Sequence, residues 1–153
     1  MKLPVYLSLL HKAEETLRDS FGEVADGHGD EPDVHAICLT LAAQCDEHQR
    51  ALSGAVARYG ESPVDDEPAR LHADGLAQTR SGAVGLLRDL QDLHTLATFV
   101  HVTWTVVDQA AKALRDKDLQ AVVDRCDGQT TTQIRWLQTR IKEAAPQALI
   151  VAT

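Results

Sequence analysis

Apolar residues recur at steps of four and three through the first part of the chain: Leu3, Leu7, Leu10, Leu17, Phe21 and Val24. Glu14 occupies the one place in that series where another apolar residue is due. The spacing is that of one buried face of an amphipathic helix. Pro4 suits a first helical turn, and Gly27-His28-Gly29-Asp30 is a stop and a tight connection, so a helix is predicted over about 3–26. A second stripe, Val34, Cys38, Leu41, Cys45, His48, Leu52, Ala55 and Tyr59, predicts a helix over 32–59. Asp30 is placed to cap it, Pro32 lies in its first turn and Gly60 ends it. A third stripe runs through Leu86, Leu90, Leu93, Ala97, Val100, Trp104, Val107, Ala111 and Leu114, predicting a helix over 83–115, about 48 Å long at about 1.5 Å per residue. After the turn Asp116-Lys117-Asp118, a fourth helix is predicted over 119–145, stopped by Pro146. The apolar tail 146–153 stays unassigned.

These elements make two helical hairpins joined by residues 60–82, a connection far longer than adjacent antiparallel helices need. Its first part, 61–68, reads as loop and 69–82 as weakly helical, with His72 inside it and Leu71 and Leu76 as exposed apolar positions. The expected fold is an all-α, single-domain four-helix bundle whose hairpins are joined by a long crossover. A simple up-down bundle with a frayed loop is the competing arrangement.

Composition narrows the function classes. The chain has 153 residues, enough for one domain with a core, and aromatics are only 4%, so the core must be Leu, Val and Ala. A formal net charge of −8 with no basic face argues against nucleic acid and against anionic membrane surfaces. No apolar run approaches the ~20 residues that span a bilayer. The N-terminal apolar patch turns charged at once and lacks a small-residue cleavage site, which argues against a signal peptide. Three cysteines, Cys38, Cys45 and Cys126, all fall on predicted helices and read as reduced thiols of a cytoplasmic protein. Abundant Ala, Leu, Asp and Arg with few Lys fits a GC-rich bacterial genome. Gly82-Ala83-Val84-Gly85 lacks a preceding strand and a phosphate-binding lysine, so it is no phosphate loop.

The chemistry-bearing residues gather at one level. Glu14, Cys45 with His48, and His101 lie near the middles of the first three predicted helices. In the fourth, Cys126, Gln129, Thr130 and Gln133 interrupt the apolar face. In a bundle of equal helices these middles form one polar layer. A buried carboxylate there needs a partner, either His48, a glutamine of the fourth helix, or a metal. The plain reading of each cysteine is a small buried hydrophobe, and of His101 a flanking position that meets solvent or a subunit. His11 with Glu15 reads as a solvated pair, and His28 and His35 read as surface residues. Thr130-Thr131-Thr132 after Gly128 is a poor helical run that would suit a local bend.

In architecture the whole chain resembles the ferritin-like superfamily, in particular small bacterial members with a first-helix motif like His11-Lys12-Ala13-Glu14. The resemblance aligns Glu14 with the first-helix glutamate and His48 with the second-helix histidine, with Cys45 where that family has glutamate. His101 stands near the third-helix glutamate, and Cys126-x-x-Gln129 replaces Glu-x-x-His in the fourth. With most carboxylates replaced, ferroxidase or oxygenase chemistry is not expected. Glu14, Cys45, His48 and His101, with Cys126 and Gln129 as weaker members, remain a candidate set for one divalent metal such as zinc or iron. Two functions follow: metal binding, storage or sensing, or a structural and interaction module acting as a homodimer or through a protein partner. An enzyme is the least favoured of the classes.

Overall fold

The structure is a computed structural model that describes residues 1–60 and 75–152; the expectations on 61–74, including the loop 61–68, Leu71 and His72, and on Thr153 lie outside the described residues. Among the described residues four long helices carry the fold: α1 (Leu3–Gly27), α2 (Pro32–Tyr59), α3 (Gly82–Ala113) and α4 (Lys117–Pro146). A π-helical segment, Gln147–Val151, continues from α4. Each long helix follows its apolar stripe. Leu7, Leu10, Leu17, Phe21 and Val24 of α1 are fully buried, as are Val34, Cys38 and Leu52 of α2 and Leu90, Leu93, Val100 and Val107 of α3.

Contacts at the two ends set the directions. At one end, Arg140 near the close of α4 reaches Asp33 and Glu31 at the start of α2. His28, just after α1, bonds Asp89 in the second turn of α3 at this same end. At the other end, Tyr59 and Arg58 closing α2 hold Asp116, which precedes α4. Helices α1 and α4 therefore run one way, and α2 and α3 the other. Neighbouring helices pack in the cyclic order α1, α2, α4, α3. Gly60 and Gly82, the two ends of the connection, therefore lie at opposite ends of the bundle. The described part of the connection lies along α1: Leu76 N donates to Ser20 Oγ at 3.1 Å, and Thr79 fills the space beside Gly27.

The turns obey local rules, with some departures from expectation. Gly60 ends α2 at φ 88°, a positive value that glycine adopts without strain. Helix α3 ends in a Schellman motif, with Asp116 N bonding Ala111 O and Arg115 N bonding Lys112 O. Arg115 fills its left-handed position at φ 54°, where glycine is usual. Asp116 caps α4 by accepting from Leu119 N at 3.0 Å. Asp30 does not cap α2; Glu31 holds the cap position and makes no side-chain capping bond. The threonine run does not interrupt α4, because all three hydroxyls turn back to carbonyls four residues earlier. α4 does end at Pro146, as expected, but the chain keeps a helical path beyond it. Proline removes only its own N–H, and the backbone continues as a π-helix in which Ala152 N reaches Gln147 O.

Candidate functional site

The polar layer forms, and its centre is a carboxylate held by three helices. Glu14, fully buried on α1, accepts from His48 Nδ1 of α2 at 3.1 Å and from Trp104 Nε1 of α3 at 2.9 Å, both on Oε1. The fourth helix joins through His48, whose Nε2 lies 2.7 Å from Gln129 Oε1. The imidazole also meets the Trp104 indole edge-on, with ring centroids 6.3 Å apart. One carboxylate and one imidazole thus link all four helices.

The acceptors around His48 and its raised pKa both favour the protonated ring. Both of its partners, a carboxylate oxygen and an amide oxygen, only accept hydrogen bonds, so both ring nitrogens donate. The ring is then an imidazolium. Burial pushes its pKa down, but the hydrogen bond and charge of Glu14 outweigh that and hold the pKa above the ordinary histidine value. Beside the pair, burial and the Glu14 charge push the Cys45 thiol well above the ordinary cysteine range. Burial pushes Cys126 up to about 11 and Cys38 up to about 12. All three thiols are free, protonated and without nucleophilic character at neutral pH.

The structure brings Glu14, Cys45, His48 and Gln129 to one layer, with Cys126 buried close enough to feel the Glu14 charge. It separates His101, which turns to the half-exposed flank of α3 and pairs with Asp127 Oδ1 at 2.7 Å. Among the described residues, no group of three or more His, Cys, Asp and Glu side chains is placed to hold a metal. The donor set does not fit the carboxylate di-metal centre of the ferritin-like superfamily, because Glu14 is the one carboxylate that the layer holds among the described residues. Two oxygens in the layer nonetheless have no hydrogen-bond partner: Glu14 Oε2 and Gln133 Oε1. Gln133 Nε2 donates to Gln44 Oε1 at 3.0 Å and lies 3.9 Å from Cys45 Sγ.

Other groups in and near this interior were not read from sequence. Trp104 sits on the predicted stripe, and its indole N–H was the available signal, since a buried one seeks an acceptor. His28, expected on the surface, is only 4% exposed. Its partner Asp89 is fully buried on α3 and also accepts from Arg80. Asp89 lies beside Leu86, Leu90 and Leu93 on the inner side of that helix, but nothing in the pattern pairs it with His28, 61 residues away. His35 is not free either: its Nδ1 bonds Ala25 O at 2.7 Å. His11 makes no pair with Glu15, which instead meets Lys12 at 3.6 Å.

No protein-family model, no curated protein and no solved structure matches the chain.

Proposed function

We propose that the protein is a ferritin-like bundle in which a carboxylate–imidazolium cross-link occupies the interior layer. We further propose that it acts as a metal-free interaction module, a homodimer of the cytoplasm rather than an enzyme. The observation that carries this is His48, whose two ring nitrogens both donate inside the protein, to Glu14 and Gln129. A ring so engaged must give up a proton and a hydrogen bond before it can ligate a metal. The ferritin-like reading is supported by the directions of the helices, α1 and α4 against α2 and α3, with the end of α2 and the start of α3 at opposite ends of the bundle. Free thiols on α2 and α4 support a reducing compartment. No helix of the described residues is long and apolar enough to cross a membrane.

The interaction reading is supported by the surface. Val102 and Val106 are exposed on the outer face of α3, and Leu149, Ile150 and Val151 are exposed on the terminal segment. From Leu93 to Val107 that helix carries no Asp, Glu, Lys or Arg. On a chain of net charge −8, an uncharged face is where a second copy can approach without repulsion.

A second reading, single-cation binding in the layer, is favoured by one observation, the unpartnered Glu14 Oε2 and Gln133 Oε1 near Cys45. Elemental analysis and sedimentation of protein purified without chelators separate the two. Metal well below one equivalent and a dimeric wild-type protein are expected, with the Val102→Lys variant a monomer. One equivalent of metal that disappears in Glu14→Gln establishes the second reading instead.

A further inference from the structure

The end of the bundle where the α1–α2 turn meets the start of α3 and the close of α4 contains two adjoining cavities. One, of about 250 Å³, is lined by His28, Asp30, Glu31, Ser81 and the first residues of α3. The other, of about 390 Å³, shares Glu31, Ala83 and Leu86 with it and is completed by Arg140, Ala144 and the terminal segment. An apolar wall with a few convergent polar groups is the usual make-up of a small-molecule site. The terminal wall is π-helical, an irregularity that concentrates at functional sites.

His28 gives the cavity its specific group. Its side chain is nearly all buried, and its Nε2 lies 2.8 Å from Asp89 Oδ2. Asp89, an ionised carboxylate that also accepts from Arg80 N at 2.9 Å and Arg80 Nη1 at 2.6 Å, can only accept, so His28 Nε2–H donates to it. In the neutral ring this fixes the tautomer that leaves Nδ1 as an acceptor. Nδ1 has no hydrogen-bond partner among the described residues, on a ring that lines the cavity. The other polar groups there are mostly acceptors too. Asp30 and Glu31 bring carboxylates, while the guanidinium of Arg140 is already taken, by Asp33 at 2.7 Å and Glu31 at 3.3 Å. The free N–H groups at the start of α3 oppose this with a partial positive charge of about half a unit, less than the carboxylates supply.

We propose that this cavity is a binding site for a small organic cation, a primary amine with a short apolar body. The ammonium donates to His28 Nδ1 and Glu31, and the apolar body lies on Leu86, Ala83 and Val151. This site lies at the end of the bundle and does not depend on the reading of the interior layer.

Titration of ¹⁵N-labelled protein with n-butylammonium, n-butyrate and n-butanol at low salt tests it. Butylammonium should give saturable shifts confined to residues near His28, Ser81 and Val151, with a dissociation constant below about 1 mM. Glu31 is half-exposed, so Glu31→Gln leaves the fold and its melting temperature in place; it should weaken butylammonium about tenfold. Three results overturn the proposal: shifts that do not saturate or that spread over the acidic surface, butyrate binding in preference, or unchanged affinity in Glu31→Gln.

Discussion

Glu14 Oε1 receives two donors, and each comes from a different helix. Removing the carboxylate alone strands a buried imidazolium, a change that typically destabilises by about 3–5 kcal/mol. Glu14→Ala should therefore lower stability by about that amount in urea denaturation. The paired replacement Glu14→Leu with His48→Leu should recover most of it, since apolar residues of similar volume substitute well for a buried ion pair. A loss in the Glu14→Leu/His48→Leu variant equal to the sum of the losses in the two single Leu variants would show that the two residues are not coupled. The pair also sets a pH dependence. His48 has a raised folded-state pKa, so its contribution is complete below the unfolded value of about 6.5 and is lost as pH rises through the folded value. Thermal melts should show falling stability on the alkaline side of that window, and His48→Leu in the Glu14→Leu background should flatten it. Much of this was legible in the sequence, because Glu14 and His48 stand out against apolar neighbours at helical spacing. His101 was misleading for a physical reason. It lies one step off the stripe, about 100° around the helix, and that rotation carries it to the flank where Asp127 waits.

The helices were the most legible elements, since burial of a stripe and the Gly and Pro signals both mark them. α1 and α2 begin and end within a residue or so of expectation. The turns were less legible, because their bonds join backbone groups that side-chain patterns do not report. The α3–α4 turn shows this. Its Schellman bonds put Arg115 at φ 54°, a conformation that is strained for any residue with a Cβ. Arg115→Gly should stabilise the protein by about 0.5–1 kcal/mol, read as a rise in denaturation midpoint without a change in slope. A loss of stability would mean that the Arg115 side chain makes contacts worth more than its backbone strain. The end of the crossover behaves in the opposite way. Any side chain at Gly27 would meet Thr79, so the absence of a Cβ there is what lets the connection lie against α1.

At the scale of the whole molecule, two polar clusters tie the elements together at different levels. One is the Glu14–His48 layer in the middle, touching all four helices. The other is Asp89 at one end, which joins the α1–α2 turn, the crossover and α3. The first was visible as a shared level along four stripes. The second was not, because it depends on how the crossover returns along α1, which no local spacing encodes. The middle layer is cross-linked by charge and hydrogen bonds, with His48 donating from both nitrogens. Imidazole ¹⁵N spectroscopy of His48 at neutral pH tests that directly, with and without added zinc. The account predicts two protonated ring nitrogens whose signals zinc leaves unchanged. A ring with one bare nitrogen that shifts stoichiometrically on adding zinc would contradict it.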